Sequence, residues 1–381
     1  MAQRSVTMVS SRFRDGGVER RMNRLAAGFM ARGVGCTFVL GEPPGEAAGA
    51  AMPSGVRVKV VGRGGLQAAL SQAMRDASEQ ENAVLAFRTV DYSRVMRICR
   101  MRRSTRSRVF LVHGDYITER LESRGVGRFK AWKNSRRLFR EWSQANGVIT
   151  TCPEIASDWL NTGAFPPECV HAPSPPVVGA DLDALGAEPL VHPWADGQWP
   201  LVLGVGRLTP NKRFDLLIEA FTELRRQTRA RLVILGEGPE RARLQQLVAN
   251  HGVGGDVDLP GFSVNPYAWM RTANVLALPS AVEPFGLVLI EALYMGTPFV
   301  AAATPPGPQV IRNATGRGKI LPSDTPSELC KALVETIEQA PSASTLRAAV
   351  AQYDSDRSAD EYLSILFPEE LMQDSEALDR V

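Results

Sequence analysis

The chain alternates short apolar runs with helical segments, and this alternation constrains its fold more than any other feature. The runs are rich in Val, Ile and Leu, and the segments between them repeat apolar residues every three or four positions. A strand that is followed by a helix and then by another strand forms a parallel pair, with the helix packed on one face of the sheet. We therefore predict an α/β fold built on parallel sheets.

The alternation occurs twice and is interrupted once, by the Pro-, Gly- and Ala-rich residues 171–199. A length of 381 residues suits two domains of about 100–200 residues each. We predict two doubly wound Rossmann-like domains that face each other across a cleft. Their expected bounds are 1–175 for the first domain, 176–199 for a linker and 200–355 for the second domain, followed by residues 356–381, a helix that returns to the first domain and an acidic tail.

Charge divides along the same boundary. Residues 1–180 hold 27 Lys and Arg against 15 Asp and Glu, whereas the rest of the chain holds 17 against 26. A basic domain indicates an anionic partner. The 44% hydrophobic content excludes a disordered chain, and the absence of a long apolar run excludes a membrane span. Met1–Ser10 has no signal-peptide core, so we expect a cytoplasmic protein.

The sharpest motif is the loop that follows the predicted strand Val275–Leu278. It contains Glu283-Pro-Phe-Gly286 and leads into a helix that carries Glu291. Free N–H groups and the positive end of a helix dipole attract anions, and carboxylates suit sugar hydroxyls because they accept two hydrogen bonds. The alternative interpretation is a pair of solvated glutamates on an amphipathic helix.

A second motif follows the predicted strand Leu201–Val205. Arg207 offers a planar fork and Lys212 a point charge, a pair of cations that suits a diphosphate at the carboxyl end of a strand. The alternative is two surface cations near a helix start.

Two signals in the first half are weaker. Gly16-Gly17 opens a helix after the first strand, as in a phosphate-binding turn, although tight turns use the same pair. His113 ends an apolar strand, where it is either a hydrogen-bonding or basic group with Asp115 as its partner, or a structural histidine.

No metal site is predicted. Asp181-Leu-Asp183 and Asp256-Val-Asp258 match a short Asp-x-Asp pattern that arises often by chance. The five cysteines lack a Cys-x-x-Cys pair, and the four histidines are scattered.

Residues 100–140 concentrate the basic excess, with 13 Lys and Arg against three acids. Within the segment 125–145, a predicted helix places Trp132, Phe139 and Trp142 on one side and basic residues on another. This pattern is typical of a helix on an anionic membrane surface, and equally of a helix whose apolar face packs on its own domain. No recognised nucleic-acid-binding module is present, so we expect no nucleic-acid partner.

Together these motifs resemble the retaining glycosyltransferases of family four (glycosyl transferases group 1), which have the GT-B fold. The resemblance is strongest between Leu201 and Leu321. Its ordered matches are Gly206-Arg-Leu with Lys212-Arg-Phe-Asp, Leu235-Gly-Glu-Gly-Pro, Leu259-Pro-Gly-Phe, Glu283-Pro-Phe-Gly with Glu291-Ala-Leu, and Pro306-Gly-Pro-Gln-Val-Ile.

The resemblance implies a role for each matched residue. Arg207 and Lys212 bind the diphosphate of a nucleotide-sugar donor, with help from backbone groups of Gly17, Phe285, Gly286 and Leu287. Glu283 touches the donor sugar, Glu291 the ribose hydroxyls, and Phe262 lies near the base. His113 matches a histidine on the acceptor side, so His113 and Glu283 are the candidate catalytic residues.

The predicted function is transfer of a hexosyl group from a nucleotide-diphosphate sugar, expected to be a UDP-sugar, to a lipid-linked, polysaccharide or other cell-surface glycan acceptor. The resemblance implies retained configuration and no metal or other cofactor. We expect attachment to the inner face of the plasma membrane through 125–145. The alternatives are a catalytically silent nucleotide- or glycan-binding protein and a nucleotide-sugar epimerase of similar fold.

Overall fold

A computed structural model describes residues 4–14, 16–62, 65, 68–70, 72, 81–101, 107–117, 136–303 and 306–368. The chain divides into two compact units. Unit 1 comprises Met1–Pro176 together with Asp354–Val381, and unit 2 comprises Val177–Tyr353. The first part of the predicted basic helix, 125–135, and the predicted acidic tail beyond residue 368 lie outside the described residues.

Unit 1 is built on a parallel sheet with the strand order β3-β2-β1-β4-β5-β6-β7. The strands are β1 (Arg4–Ser10), β2 (Gly35–Leu40), β3 (Arg57–Val60), β4 (Glu81–Ala86), β5 (Arg108–His113), β6 (Gly147–Thr150) and β7 (Val170–His171). The helices of the first part of this unit are α1 (Gly17–Ala31), α2 (Glu46–Ala50), α3 (Thr89–Met101) and α4 (Pro153–Asn161), and residues 136–142 are also helical.

Unit 2 has a second parallel sheet, with the order β10-β9-β8-β11-β12-β13. Its strands are β8 (Leu201–Val205), β9 (Arg231–Leu235), β10 (Val257–Gly261), β11 (Val275–Leu278), β12 (Phe299–Ala301) and β13 (Lys319–Ile320). Its helices are α5 (Ala180–Ala187), α6 (Phe214–Gln227), α7 (Arg241–Asn250), α8 (Pro266–Thr272), α9 (Leu287–Met295), α10 (Pro306–Thr315), α11 (Pro326–Glu338) and α12 (Ala343–Ala348).

Strand order places the sites where ligands bind in folds of this kind. In each sheet the order reverses beside the first strand of the unit, between β1 and β4 and between β8 and β11. In folds of this kind, ligands bind beside the carboxyl ends of two such strands. Apolar side chains between sheet and helices hold the edges in place, among them Phe29, Phe38 and Phe110 in unit 1 and Phe214, Phe221 and Leu217 in unit 2.

Residues 177–199 differ from the predicted linker, because they fold as part of unit 2. The helix α5 packs on α8, and its Asp183 carboxylate accepts hydrogen bonds from Tyr294 and Arg347. Farther along, the guanidinium of Arg231 lies 4.6 Å from the ring centre of Trp194 and 4.2 Å from that of Trp199. The proline and glycine content correctly marks a break in the alternation of strands and helices. It does not reveal these contacts, because they join residues that are 32 or more positions apart in the sequence.

The last helix, α13 (Ser355–Leu366), packs against α1 in unit 1. The Arg32 guanidinium pairs with Asp360 at 2.5 Å and with Asp356 at 3.1 Å, and Ser358 donates a hydrogen bond of 2.6 Å to the carbonyl of Ser174. Tyr362 lies 6.4 Å from Phe29 between ring centres. The helix α13 therefore belongs to unit 1, together with the first part of the chain.

Two glycines let the loops at the carboxyl edge of the unit 2 sheet approach each other. Gly236 has φ 140°, and a Cβ at this position would lie 1.9 Å from the carbonyl oxygen of Gly206. At Gly238 a Cβ would lie 2.2 Å from the carbonyl oxygen of Leu208. Hydrogen bonds join the same loops, including Leu208 N to Glu237 O at 2.9 Å. The loop that carries Arg207 is thus fixed by backbone contacts.

This close approach predicts that Gly236→Ala is far more costly than alanine at an open left-handed glycine. The substitution adds a backbone clash to an unfavourable φ, and we expect it to lower the free energy of unfolding of unit 2 by about 3 kcal/mol. Gly252 also has a positive φ of 69°, but nothing lies within 4 Å of its Cβ position. Gly252→Ala should cost about 1 kcal/mol, the strain alone. Equal losses in calorimetric unfolding would contradict the packing of these loops.

Candidate functional site

The loops after β8 and β11 meet at the carboxyl edge of the unit 2 sheet. Their strands are neighbours, and the N–H of Ala281 donates a hydrogen bond of 2.8 Å to the carbonyl of Asn211. One loop carries Arg207 and Lys212 and leads into α6, and the other carries Glu283 and leads into α9. Residues 76 positions apart in the sequence are thereby brought to one place, which we call the donor edge.

An ion pair joins the two predicted residues at its centre. The Nζ atom of Lys212 lies 2.5 Å from Oε2 of Glu283, and the two side chains are only 20% and 14% exposed. The Ser280 hydroxyl donates to the same carboxylate oxygen at 3.4 Å. Because both side chains are partly shielded from water, the attraction between the two charges is stronger than that of an ion pair on the open surface.

The backbone after Lys212 is strained, and this strain fixes the turn. Arg213 has φ 49°, the one positive φ of a non-glycine residue among the described residues. Its guanidinium pairs with Asp324 at 3.1 Å, and Asp324 also accepts a hydrogen bond of 2.9 Å from Ala303 N. Left-handed backbone at a bulky residue persists only when its surroundings hold it. The Arg213–Asp324 pair is such a restraint, and it keeps Lys212 at the donor edge.

The start of α9 presents backbone rather than side chains. Gly286 caps the helix with φ 90°, a conformation that favours glycine, and Leu287 begins the helix. The Phe285 ring is buried and packs edge-on against Tyr353, with ring centres 6.2 Å apart. The first N–H groups of a helix have no partner within it, so this end suits an anion beside Lys212.

Glu291 is buried, at 1% exposure, so the interpretation as a pair of solvated glutamates is wrong. Its carboxylate accepts a hydrogen bond of 3.1 Å from the Tyr267 hydroxyl, which is buried as well. Sequence reasoning missed Tyr267, since nothing local links residues 24 positions apart. Phe262 follows β10 and is 49% exposed, and Arg207 is exposed where its loop leaves β8.

His113 and Gly17 belong to unit 1, where they lie on the carboxyl edge of that sheet. His113 ends β5 and is 3% exposed. The Tyr92 hydroxyl donates its proton to the Val112 carbonyl at 2.6 Å and also lies 3.1 Å from Nδ1 of His113. Because its one proton is already used, the hydroxyl oxygen accepts a hydrogen bond from Nδ1. The proton of a neutral His113 then resides on Nδ1. The Trp159 ring packs edge-on against the imidazole at 5.2 Å between centres.

Gly17 begins α1, and a network of buried charges surrounds this turn. The Glu19 carboxylate is buried and pairs with Arg88, whose Nε also donates to Ser10 Oγ at 2.9 Å. Asp91 is fully buried and accepts from Ser11 N at 2.8 Å, and burial raises the pKa of its carboxyl. Arg88 was not singled out from the sequence. Its position just after the apolar run of a strand could have indicated a residue at the carboxyl edge of the sheet.

The described part of the basic helix packs inward. Trp142 is buried and lies edge-on to Tyr92 at 5.4 Å between ring centres, and Phe139 lies 6.1 Å from Trp159. The apolar side chains at 139 and 142 therefore contact aromatic residues of unit 1, with Trp142 buried and Phe139 partly buried. No helix among the described residues is long and apolar enough to cross a membrane.

The two Asp-x-Asp sequences hold ion pairs. Asp256 pairs with Arg225 at 2.8 Å and with Arg231 at 2.5 Å, and Asp258 lies 3.1 Å from His192. Asp183 is bound by Arg347 and Tyr294, and the Arg347 hydrogen bond lowers the pKa of its carboxyl. In the part of the chain that the structure describes, no three His, Cys, Asp or Glu residues are grouped as metal ligands.

Comparison with known proteins shows which family unit 2 resembles. Residues 194–353, nearly all of this unit, match the family model of the glycosyl transferases group 1. This region of the chain is therefore similar to the group 1 glycosyltransferases. The match includes the predicted residues of the donor edge, from Arg207 to Glu291.

Two relatives show how far the similarity in sequence extends. The chain is 30% identical over 165 residues to the alpha-D-kanosaminyltransferase of Streptomyces kanamyceticus, covering 42% of each protein. It is 41% identical over 92 residues to the N-acetylgalactosamine-N,N'-diacetylbacillosaminyl-diphospho-undecaprenol 4-alpha-N-acetylgalactosaminyltransferase of Campylobacter jejuni, covering 24% of this chain and 25% of that protein. The chain thus spans less than half of the length of either relative.

The fold is similar over the whole chain to that of Anabaena HepE, solved in complex with UDP. The TM-score is 0.71, the sequence identity is 18%, and both chains are covered completely. The expected fold class is confirmed: two parallel α/β units, as in the GT-B glycosyltransferases.

The Lys212–Glu283 pair predicts an unusual effect of removing one charge. In Glu283→Gln the ammonium of Lys212 no longer shares its charge with a carboxylate, and repulsion of an incoming diphosphate falls. We expect the affinity for a nucleoside diphosphate to rise roughly threefold to tenfold, an effect of about 1 kcal/mol, while turnover of the sugar donor is lost. Calorimetric titration measures the affinity. A weaker affinity than that of the wild type would contradict competition between Glu283 and the diphosphate.

Proposed function

We propose that this protein is a glycosyltransferase that moves a hexosyl group from a nucleotide-diphosphate sugar to a glycan acceptor, with retained configuration. The observation that carries the proposal is the meeting of Lys212, Glu283 and the start of α9 at one edge of the unit 2 sheet. A fixed cation and free N–H groups suit the diphosphate, and a carboxylate beside them suits a sugar hydroxyl.

The donor edge would accelerate transfer by stabilising the leaving group. When the bond between the sugar and the diphosphate breaks, negative charge grows on the phosphate oxygen. Once the diphosphate has displaced Glu283, Lys212 and the N–H groups at Gly286 and Leu287 would already be in place, with Arg207 nearby in the same loop as Lys212, so they would stabilise this charge with little further reorganisation. We propose that these groups supply the stabilisation that a divalent metal ion provides elsewhere, so that transfer needs no metal or other cofactor. Retention of configuration rests on the resemblance to family four.

His113 and Gly17 have proposed roles on the unit 1 side. With its proton on Nδ1, the imidazole of a neutral His113 keeps a lone pair on Nε2 that can accept a hydrogen bond from a hydroxyl. The surrounding aromatic rings and the bond to Tyr92 would hold its orientation. We propose that His113 interacts with the acceptor or the transferred sugar, and that the Gly17 backbone contributes to binding the diphosphate.

The donor and acceptor classes are proposed from the relatives and from charge. HepE was solved with UDP, which favours a UDP-sugar donor, and the Campylobacter relative is named for a diphospho-undecaprenol acceptor. The excess of 12 positive charges in residues 1–180, 27 Lys and Arg against 15 Asp and Glu, suits an anionic lipid-linked or polysaccharide acceptor. We propose a cytoplasmic protein that attaches peripherally to the inner face of the plasma membrane during synthesis of a cell-surface glycan.

The direct test is incubation with UDP-, GDP- and ADP-sugars, in the presence and absence of a chelator. We expect release of one nucleoside diphosphate, unaffected by the chelator. Lys212→Met should reduce this release by about a hundredfold or more, because it removes a charge that stabilises the transition state. The matched control is Lys319→Met, which removes the surface partner of Glu335 in the same unit. Equal activity in the two variants would overturn the assignment of Lys212.

The outcome of the same assay separates the alternatives. Nucleotide binding without turnover would favour a catalytically silent binding protein, and conversion of the sugar within an intact donor would favour an epimerase. Proton NMR of the product gives the anomeric configuration, and an inverted product would exclude the retaining mechanism.

Membrane attachment predicts binding to vesicles that contain anionic lipid. Because Trp142 is buried and the partly buried Phe139 packs against Trp159, attachment would depend chiefly on charge, through the basic residues of 125–145. Charge-driven binding weakens with salt, and we expect cosedimentation at about 0.05 M salt and none at about 0.5 M. Neutral vesicles are the control. No cosedimentation at low salt, or equal binding to neutral vesicles, would contradict this mode of attachment.

A further inference from the structure

The helix α8 holds a hydrogen-bonding group against the predicted ribose ligand of the donor edge. Tyr267 is 3% exposed, and its hydroxyl donates to Oε1 of Glu291 at 3.1 Å. Both residues are buried, and their helices α8 and α9 pack side by side. A hydrogen bond to a carboxylate in a buried setting is stronger than one between neutral groups, so it restricts the rotation of the Glu291 side chain.

The start of α8 is itself fixed in place. The Asn265 side chain caps the helix by accepting hydrogen bonds from Tyr267 N at 3.0 Å and Ala268 N at 3.4 Å. Its amide nitrogen donates to the Leu185 carbonyl at 2.7 Å and to the Glu188 carboxylate at 2.7 Å. The segment 177–199, expected as a linker, therefore anchors the helix that supports Glu291.

The segment that leads into α8 begins at Phe262, the residue that the resemblance to family four places near the base of the nucleotide. Phe262 follows β10 with its ring about half exposed, and Tyr267 lies five residues farther on. By the resemblance to family four, this one segment would carry both the aromatic neighbour of the base and the residue that supports the ribose ligand Glu291.

We propose that Tyr267 is a positioning residue that orients Glu291 toward the ribose hydroxyls of the nucleotide, and so determines the preference for a ribonucleotide. The inference rests on the proposed function, because it needs a nucleotide at the donor edge. With Oε1 bound to Tyr267, the carboxylate keeps a fixed direction for accepting from a sugar hydroxyl. A carboxylate that rotates freely would pay an entropic cost for each such bond.

The test compares a nucleoside diphosphate with its 2′,3′-dideoxy counterpart in the wild type and in Tyr267→Phe. The base is the one that binds best among UDP, GDP and ADP. Phenylalanine fills the same space without the hydroxyl. We expect the wild type to bind the ribonucleotide at least tenfold more tightly, and Tyr267→Phe to reduce this preference by about threefold to tenfold through weaker ribonucleotide binding alone.

A matched control is available on the neighbouring helix. Tyr294 lies in α9, and its hydroxyl also donates to a carboxylate, that of Asp183, at 3.1 Å. Tyr294→Phe removes a bond of the same type and should leave the nucleotide preference unchanged. In a Glu291→Gln background, Tyr267→Phe should have little further effect on the preference, because the carboxylate that it positions is gone.

The outcomes distinguish the two levels of the proposal. A wild type that binds no nucleoside diphosphate would overturn the proposed function and this inference with it. A wild-type preference that persists in Tyr267→Phe would overturn the positioning role alone, and so would an equal loss in Tyr294→Phe. A fall in thermal stability of Tyr267→Phe with an unchanged preference would assign the hydroxyl a structural role only.

Discussion

The hydrogen bond between Ala281 N and the Asn211 carbonyl joins the two loops on which the donor edge depends. It forms because β8 and β11 are neighbours, and they are neighbours because the strand order of unit 2 reverses beside β8. The two loops leave adjacent strand ends, and their short connection brings the ammonium of Lys212 to the carboxylate of Glu283. The proximity of Lys212 and Glu283 thus follows from the strand order of the sheet, and the backbone hydrogen bond between their loops maintains it.

Around this contact, the molecule restrains each group that a donor would meet. The ion pair between Arg213 and Asp324 holds Arg213 in a left-handed backbone conformation. The absence of side chains at Gly236 and Gly238 lets neighbouring loops pack against the loop that carries Arg207. Gly286 ends its loop in the left-handed conformation from which α9 begins. Rigid placement before binding is what makes such groups effective, since little reorganisation remains when charge develops.

Much of the fold was predictable, because it follows from local patterns. The strands predicted over Leu201–Val205 and Val275–Leu278 have the same bounds in the structure. The position of Lys212, Glu283 and Glu291 after strands or in the following helix was predictable for the same reason. Long-range pairs were not: Tyr267 with Glu291, Glu19 with Arg88, and the packing of α5 arise only when the chain has folded. Residues 176–199 were predicted as a linker because they are rich in proline and glycine. This composition does not reveal the tertiary contacts that residues 177–199 make within unit 2.

A crystal structure of the protein with a bound nucleoside diphosphate tests most directly whether the diphosphate lies beside Lys212 and the start of α9, as we propose. We expect phosphate oxygens within hydrogen-bond distance of Nζ of Lys212 and of N–H groups at the beginning of the helix, with Glu283 moved away from the ammonium. A nucleotide bound elsewhere in unit 2, with the Lys212–Glu283 pair intact, would contradict the central claim.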